Sequence, residues 1–135
     1  MHMRPDANRN RILIVDDEQL LLQGMEKTLR NDVTEVTTAE TAEAALAKIA
    51  NVHYQLCFLD IFLPDRYGTE ILNEIKAISP NTKFVMMTAG VVSSAMEEII
   101  EKNAYLFITK PFDLLQVRML ASRIIEEPQV KSKKL

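Results

Sequence analysis

The chain has 135 residues, of which 47% are apolar and 26% charged, and its formal net charge is −3. This composition predicts one domain with a sizeable core and gives no reason to expect nucleic-acid binding, which depends on clustered Lys and Arg. The single cysteine excludes an internal disulfide. No apolar run approaches the roughly 20 residues that span a bilayer, and the polar N-terminus is unlike a signal peptide. We therefore expect a cytoplasmic protein without membrane contact.

Five apolar or β-rich runs alternate with five amphipathic stretches, a pattern typical of βα units that build a parallel sheet. The predicted strands are Arg11–Val15, Glu35–Thr38, Gln55–Leu59, Phe84–Met87 and Tyr105–Ile108. The second run is the weakest, as expected of an edge strand. Right-handed crossovers would place helices on both faces of the sheet and a ligand at the carboxyl ends of the strands.

Apolar residues at helical spacing mark one buried face for each of five helices between and after these strands. These faces are Leu21, Met25 and Leu29; Ala42, Ala45, Leu46 and Ile49; Ile71, Leu72, Ile75 and Ile78; Met96, Ile99 and Ile100; and Leu114, Val117, Leu120, Ala121 and Ile124. The fifth helix is expected to stop near Pro128.

These elements predict a single domain over residues 11–127, with a polar tail at 1–10 and a second tail or truncated linker at 128–135. The opening MHM resembles a cloning remnant, and the charged segment after Pro128 resembles a cut linker. Both features favour a domain taken from a longer protein, while a stand-alone protein remains the alternative.

Polar side chains stand at the ends of four predicted strands. Asp16 and Asp17 follow the first strand, Asp60 ends the third, Thr88 ends the fourth and Lys110 ends the fifth. A buried parallel strand offers no partner for a charge such as that of Asp60, so its partners must come from elsewhere in the chain. Because all five residues fall at the same edge of the sheet, we expect them to form one site.

Each of these residues also has a structural explanation when taken alone. Asp16 with Gln19 three residues later resembles a helix capping box. Thr88 would commonly be a turn or cap residue, and Lys110 a solvated surface charge. Cys57, with apolar neighbours, is expected to pack in the core rather than to react. The prediction of a site therefore depends on the location of all these residues at one edge of the sheet and not on any single residue.

Charge repulsion indicates what such a site must hold. Two carboxylates about 4 Å apart repel by roughly 4 kcal/mol at an effective dielectric constant of 20, so three together need a cation or abnormal protonation. The oxygen ligands favour Mg2+, and the positions of His2 and His53 disfavour zinc. A carboxylate beside Mg2+, a lysine and a hydroxyl can attack phosphorus, which makes Asp60 a candidate nucleophile that forms an aspartyl phosphate.

These residues resemble the receiver domain of bacterial response regulators, the CheY-like family of two-component signalling. The stretches that carry the resemblance are ILIVDDE (12–18), FLDIFLPDRYG (58–68), MMTAG (86–90) and FITKPF (107–112). The resemblance implies a three-layer, flavodoxin-like, doubly wound α/β fold with five parallel strands in the order 2-1-3-4-5 and five helices. It also implies a signalling phosphoacceptor, not an enzyme that acts on outside substrates.

By this resemblance Asp60 is the phosphoacceptor. Mg2+ would be bound by Asp16, Asp17, Asp60 and the backbone carbonyl of Phe62. The phosphoryl donor would be a sensor histidine kinase, a histidine phosphotransfer protein or a small acyl phosphate. The phosphorylated domain would control an output domain or a partner protein.

The resemblance also implies a conformational switch. Thr88 and Lys110 would contact the phosphoryl group, and the Lys110–Pro111 peptide bond would be cis. Phosphorylation would draw Thr88 toward the phosphoryl group and turn the ring of Phe107 inward, which repacks the face formed by helix four, strand five and helix five. The same face could form a homodimer.

Three positions affect what the resemblance implies about the switch and about hydrolysis of the phosphoryl group. Phe107 stands where the family often has Tyr, so an inward ring would have no hydroxyl to donate. Phe62 and Gly90, two residues after Asp60 and Thr88, have no carboxylate or amide to orient an attacking water. We therefore expect hydrolysis of the phosphoryl group to be slow.

Other functions remain as alternatives. A Mg2+-dependent phosphatase would need a second acid where Phe62 stands, and a flavin carrier would need a hydroxyl- and glycine-rich loop where DDEQ (16–19) stands. A pseudo-receiver that signals by binding alone would not need the complete set of acids, Thr and Lys. The apolar stripe Val91, Val92, Met96, Ile99 and Ile100 is interpreted as the core side of helix four, and its width leaves dimerisation open.

Overall fold

The computed structural model describes residues 9–127, in which five strands alternate with five helices. The strands are β1 (Asn10–Val15), β2 (Thr34–Ala39), β3 (Leu56–Asp60), β4 (Lys83–Thr88) and β5 (Leu106–Thr109). The helices are α1 (Gln19–Leu29), α2 (Ala42–Asn51), α3 (Gly68–Ile78), α4 (Ser94–Asn103) and α5 (Leu114–Glu126). The strands run parallel in the order β2-β1-β3-β4-β5, which confirms the predicted flavodoxin-like α/β fold.

The central strands are apolar because both faces of the sheet are covered. All five residues of β3 are buried, as are the last four of β1 and the last five of β4. Strand β2 lies at one edge of the sheet, and only its first and last residues are buried. This pattern explains why β2 has the weakest sequence signal.

Two hydrophobic cores fill the space between the sheet and its helices. Helices α2, α3 and α4 pack on one face, where Ile71, Leu72 and Ile75 are fully buried. Helices α1 and α5 pack on the other face, where Met25 and Val117 are buried. Eight buried apolar side chains of β1 and β3 alternate between the two cores, so both layers fix the position of these strands.

Cys57 is buried in β3 as predicted, and burial raises the pKa of its thiol. The thiol therefore stays protonated and packs as an apolar group.

Three apolar residues lie differently from the sequence pattern. Leu22, more than Leu21, forms the buried face of α1. Ile78 is half exposed because it is the last residue of α3. Val91 is 89% exposed, since it lies in the loop before α4, whereas Val92, Met96 and Ile99 pack against the core as expected.

Strand β1 begins at Asn10, and the predicted domain boundaries at 11 and 127 stay a prediction. Helix α5 ends at Glu126, close to the expected stop. The tails predicted at 1–10 and 128–135, with His2 and Pro128, lie outside the described residues apart from residues 9 and 10. Between residues 9 and 127, none of the helices is long and apolar enough to cross a membrane.

Gly68 begins α3 against the end of β3. A Cβ atom at this position would lie 2.1 Å from the backbone oxygen of Asp60, and the Gly68 N–H donates to the carbonyl of Ile61 at 2.6 Å. Backbone atoms at this distance cannot be displaced without moving the strand or the helix. Glycine is therefore required here by close approach of the backbone.

We predict that Gly68→Ala lowers the free energy of unfolding by about 2 to 3 kcal/mol, because the added methyl group overpacks a rigid backbone contact. Urea denaturation followed by circular dichroism would measure this loss.

The matched control is Gly24→Ala in α1, where a Cβ would meet the end of the flexible Leu114 side chain at 3.1 Å. The gain in helix propensity offsets that contact, so the change should stay within about 1 kcal/mol of zero. Equal losses for the two variants would contradict the account of Gly68.

Candidate functional site

Three carboxylates meet at the carboxyl ends of β1 and β3. Asp16, Asp17 and Asp60 each offer one oxygen, and these atoms lie within 4.8 Å of one another. Asp16 is 0% exposed and Asp60 4%, whereas Asp17 is exposed. The predicted convergence of these acids is confirmed, and most of their charge is held away from water.

Lys110 supplies the positive charge at this edge. Its Nζ lies 2.6 Å from Oδ2 of Asp16, 3.6 Å from Oδ2 of Asp60 and 3.6 Å from Oε1 of Glu18. Lys110 therefore bridges two of the three site carboxylates instead of being a solvated surface charge. Glu18 was not singled out from the sequence, where it appears as one more acid in ILIVDDE.

The turn after β1 is held by Asp16 and not by a capping box. Oδ1 of Asp16 accepts a hydrogen bond at 3.0 Å from the N–H of Glu18, the residue that precedes α1. Gln19 instead donates from Nε2 to Glu40 at 3.1 Å. The capping-box explanation of Asp16 is thus wrong, and its side chain both shapes the turn and faces the site.

Thr88 ends β4 next to these charges and is 1% exposed. Its Oγ1 accepts a hydrogen bond at 2.9 Å from the N–H of Gly90. The N–H of Lys110 donates to the Thr88 carbonyl at 2.8 Å, which fixes the end of β5 beside the end of β4. The Lys110–Pro111 peptide bond is cis, as predicted.

An aromatic ring covers the neighbouring loop. The Phe62 ring is 36% exposed and meets the Tyr67 ring edge-on, with centroids 5.8 Å apart. A Cβ atom at Gly90 would lie 2.8 Å from Cε2 of Phe62, so the ring occupies the space that a larger residue at position 90 would need. The two positions expected to influence hydrolysis are therefore in direct contact.

Phe107 lies outside the carboxylate cluster. It is in the edge strand β5, three residues before Lys110 and thus roughly 10 Å from it along the strand. Its side chain is 38% exposed. Its partner in the sheet is Met86 of β4, and its part in a switch stays a prediction.

Two residues of the loop that follows Asp60 form contacts that were not predicted from the sequence. Asp65 accepts hydrogen bonds from the N–H groups of Ala42 and Glu43 at the start of α2. Arg66 forms ion pairs with Glu70 and Glu74 of α3. The spacing of Arg66 and Glu70 is visible in the sequence, whereas nothing there links Asp65 to α2.

The pKa values of the site follow from burial and charge. Burial and the charge of Asp16 raise the pKa of Asp60 to about 6, while Lys110 and the N–H of Phe62 act in the opposite direction. Burial lowers the pKa of Lys110, but its contact with Asp16 and the charge of Asp60 outweigh this effect and raise it overall. Lys110 therefore stays charged, and Asp60 is largely ionised at pH 7.

The residues present fit a hard divalent cation. Three carboxylates face one lysine, which leaves net negative charge in the cluster. Oδ2 of Asp16 is buried and, despite its short distance to Lys110, has no partner with hydrogen-bond geometry among the described residues. An oxygen-only ligand set with spare lone pairs is what Mg2+ prefers in proteins.

The raised pKa of Asp60 has a consequence for stability. Its unfolded pKa is near 3.8, so between about pH 4 and pH 6 the folded state binds more protons than the unfolded state. The free energy of unfolding therefore falls as pH rises through this range. Without metal, Asp60→Asn should stabilise the protein at pH 7 by about 1 to 3 kcal/mol, and the gain should vanish near pH 4.

Urea denaturation in chelator at both pH values would measure this difference. Asp32→Asn, at an exposed carboxylate in the turn before β2, removes the same charge and should change stability by less than about 0.5 kcal/mol. A loss of stability for Asp60→Asn at pH 7 would contradict the predicted repulsion.

Known proteins share both the sequence pattern and the fold. The model of the response regulator receiver domain family matches residues 12–122. The regulatory protein AtoC of Escherichia coli is 27% identical over 122 residues, which are 90% of this chain and 26% of AtoC. The response regulator protein PilR of Pseudomonas aeruginosa is 32% identical over 116 residues, which are 85% of this chain and 26% of PilR.

The chain thus spans about a quarter of the length of these curated relatives. A CheY-like response regulator receiver domain protein of Methanospirillum hungatei has a structure that superposes with a TM-score of 0.79 at 32% identity. The match covers 87% of this chain and 95% of that one. The family model, the strand order and the acidic edge agree, and the chain belongs to the response regulator receiver domains of bacterial two-component systems.

Proposed function

We propose that this chain is a phosphoacceptor that receives a phosphoryl group on Asp60. One observation supports this function above the others: the buried Asp60 carboxylate lies within 4.8 Å of two further carboxylates and 3.6 Å from Nζ of Lys110. The donor is the phosphohistidine of a sensor kinase or of a phosphotransfer protein, and a small acyl phosphate can replace it. The chain is a signalling domain, and its setting is the cytoplasm.

Asp16, Asp17, Asp60 and the backbone carbonyl of Phe62 would hold Mg2+. When bound, Mg2+ would offset negative charge on the transferring phosphoryl oxygens. The spare lone pairs of the buried Asp16 oxygen and the closeness of the three acids support this ligand set.

Asp60 is the nucleophile. One carboxylate oxygen attacks phosphorus, the new O–P bond forms, and the bond from phosphorus to the donor nitrogen or oxygen breaks. Burial makes this carboxylate less solvated, and its pKa of about 6 leaves it ionised at pH 7. Lys110, 3.6 Å from Oδ2 of Asp60, stabilises charge on the phosphoryl oxygens.

The switch begins at Thr88. Its hydroxyl oxygen accepts from Gly90, which leaves the hydroxyl hydrogen able to donate to a phosphoryl oxygen. The ring of Phe107 then turns inward and repacks the face formed by α4, β5 and α5. That face controls an output domain or a partner protein, or it joins two copies of the chain.

A phosphatase that acts on outside substrates is less well supported. The side chain two residues after Asp60 is the Phe62 ring, which contacts Gly90 and Tyr67 and carries no acidic group. The matched relatives are regulatory proteins by name. A pseudo-receiver that acts by binding alone is the alternative that the following experiment distinguishes.

We predict that incubation with acetyl phosphate and Mg2+ adds one phosphoryl group to the wild-type chain, because the acids and Lys110 favour attack by Asp60 on phosphorus. Intact-mass spectrometry would measure the gain. Asp60→Ala should show none, and chelation of Mg2+ should abolish it in the wild type.

Asp32→Asn, which removes an exposed carboxylate in the turn before β2 and leaves the three acids and Lys110 in place, is the control for loss of a carboxylate elsewhere and should retain the modification. A folded wild type that gains no mass with this donor or with a kinase would favour a pseudo-receiver.

Phe62 should slow hydrolysis of the phosphoryl group, because its ring cannot orient an attacking water and covers the space beside Gly90. Phe62→Asn introduces an amide, so we expect its hydrolysis rate to rise by about tenfold or more. Phe62→Leu keeps the site apolar and should preserve the long lifetime. Phosphate release after removal of the donor would measure both rates, and equal rates for Asn and Leu would exclude a role for water orientation.

A further inference from the structure

The loop between β3 and α3, residues 61–67, is fixed at its base by the sheet. The N–H of Ile61 donates to the Met87 carbonyl of β4 at 3.0 Å. The N–H of Gly68 donates to the Ile61 carbonyl at 2.6 Å, and Phe62 and Tyr67 form an antiparallel bridge across the loop. These bonds close the base but leave the tip, at Pro64 and Asp65, to be held by something else.

The tip is bound to a different helix. Oδ1 of Asp65 accepts from the N–H of Ala42 at 2.9 Å, and Oδ2 accepts from the N–H of Glu43 at 3.0 Å. Both carboxylate oxygens are used, and the partners are 23 and 22 residues away in the chain. These bonds lower the pKa of Asp65, so the carboxylate stays charged and its attraction to the helix N-terminus persists at neutral pH.

Helix α2 does not depend on Asp65 alone for capping. Oγ1 of its own N-cap residue, Thr41, accepts from the N–H of Ala44 at 3.0 Å. Of the two N–H groups that Asp65 occupies, that of Glu43 lies at the surface, where water could satisfy it, whereas that of Ala42 belongs to a buried residue. What Asp65 adds is a connection between the loop and α2, which Thr41 cannot provide.

Arg66 holds the other side of the loop less firmly. Its ion pairs with Glu70 and Glu74 of α3 are exposed to solvent, and such pairs add little stability. They also lie on the helix that the loop itself enters. The bidentate bond of Asp65 is thus the contact that sets the position of the loop tip relative to the rest of the domain.

We propose that Asp65 is a positioning residue for the Mg2+ site: by fixing the loop tip on α2 it holds the Phe62 carbonyl, three residues earlier, in place as a ligand. This inference rests on the proposed function, since it assigns Phe62 to the metal. Asp65 itself touches neither the metal nor the phosphoryl group. Its loss therefore weakens Mg2+ binding and leaves the chemistry at Asp60 intact.

The test compares Asp65→Ala with Thr41→Ala, because each removes a side-chain cap from α2 and only the first frees the loop. Both variants should unfold at lower urea concentration than the wild type. In the folded proteins, titration with Mg2+ by calorimetry should give a dissociation constant about tenfold weaker for Asp65→Ala and within about twofold of wild type for Thr41→Ala.

Phosphorylation by acetyl phosphate gives a second readout. The rate for Asp65→Ala should be reduced at low Mg2+ and return to the wild-type rate at saturating Mg2+. Asp65→Asn, which retains one acceptor oxygen, should fall between Asp65→Ala and the wild type in Mg2+ affinity.

Equal Mg2+ affinities for Asp65→Ala and Thr41→Ala would overturn the positioning role, whatever their stabilities. So would a rate for Asp65→Ala that stays low at saturating Mg2+. A wild type that binds Mg2+ but gains no phosphoryl group would contradict the proposed function alone, because the affinity comparison still reports on the loop. A wild type without measurable Mg2+ binding would overturn both.

Discussion

Repulsion among three carboxylates at the end of β1 and β3 is the constraint around which this domain is organised. Asp16 and Asp60 are almost fully buried, and Asp17 stands beside them at the surface. Lys110 reaches two of them but cannot neutralise three. The repulsion in this cluster lowers the stability of the fold and favours binding of a cation at this edge. The charge of Asp60 that the proposed function needs is therefore also a charge that destabilises the domain.

Such a cluster persists because the rest of the fold leaves its members little freedom. The side chains of β1 and β3 are packed into cores on both sheet faces, so the strand ends cannot separate to relieve the repulsion. At the same edge Gly68 lets α3 begin directly against the Asp60 carbonyl. Burial of apolar side chains in the two cores stabilises the domain, and repulsion among the carboxylates offsets part of this stabilisation.

The sequence predicts the part of this arrangement that topology alone determines. Asp60, Thr88 and Lys110 could be placed together because the carboxyl ends of parallel strands meet at one edge. Asp65 could not, since its partners in α2 are 22 and 23 residues away and no residue pattern predicts a bond between this loop and that helix. Val91 was misplaced for a related reason: its apolar side chain suggests burial, but it precedes the helix that would have covered it.

The contact between Phe62 and Gly90 shows what side-chain geometry adds to such a pattern. From the sequence these are two separate positions, each without a polar group. In the structure the ring needs the absence of a Cβ at Gly90, and the Gly90 N–H binds the Thr88 hydroxyl oxygen. A larger residue at 90 must displace the ring or the backbone that holds Thr88. The residues proposed to control phosphoryl lifetime and switching therefore form one packed unit, in which neither can be altered without disturbing the other.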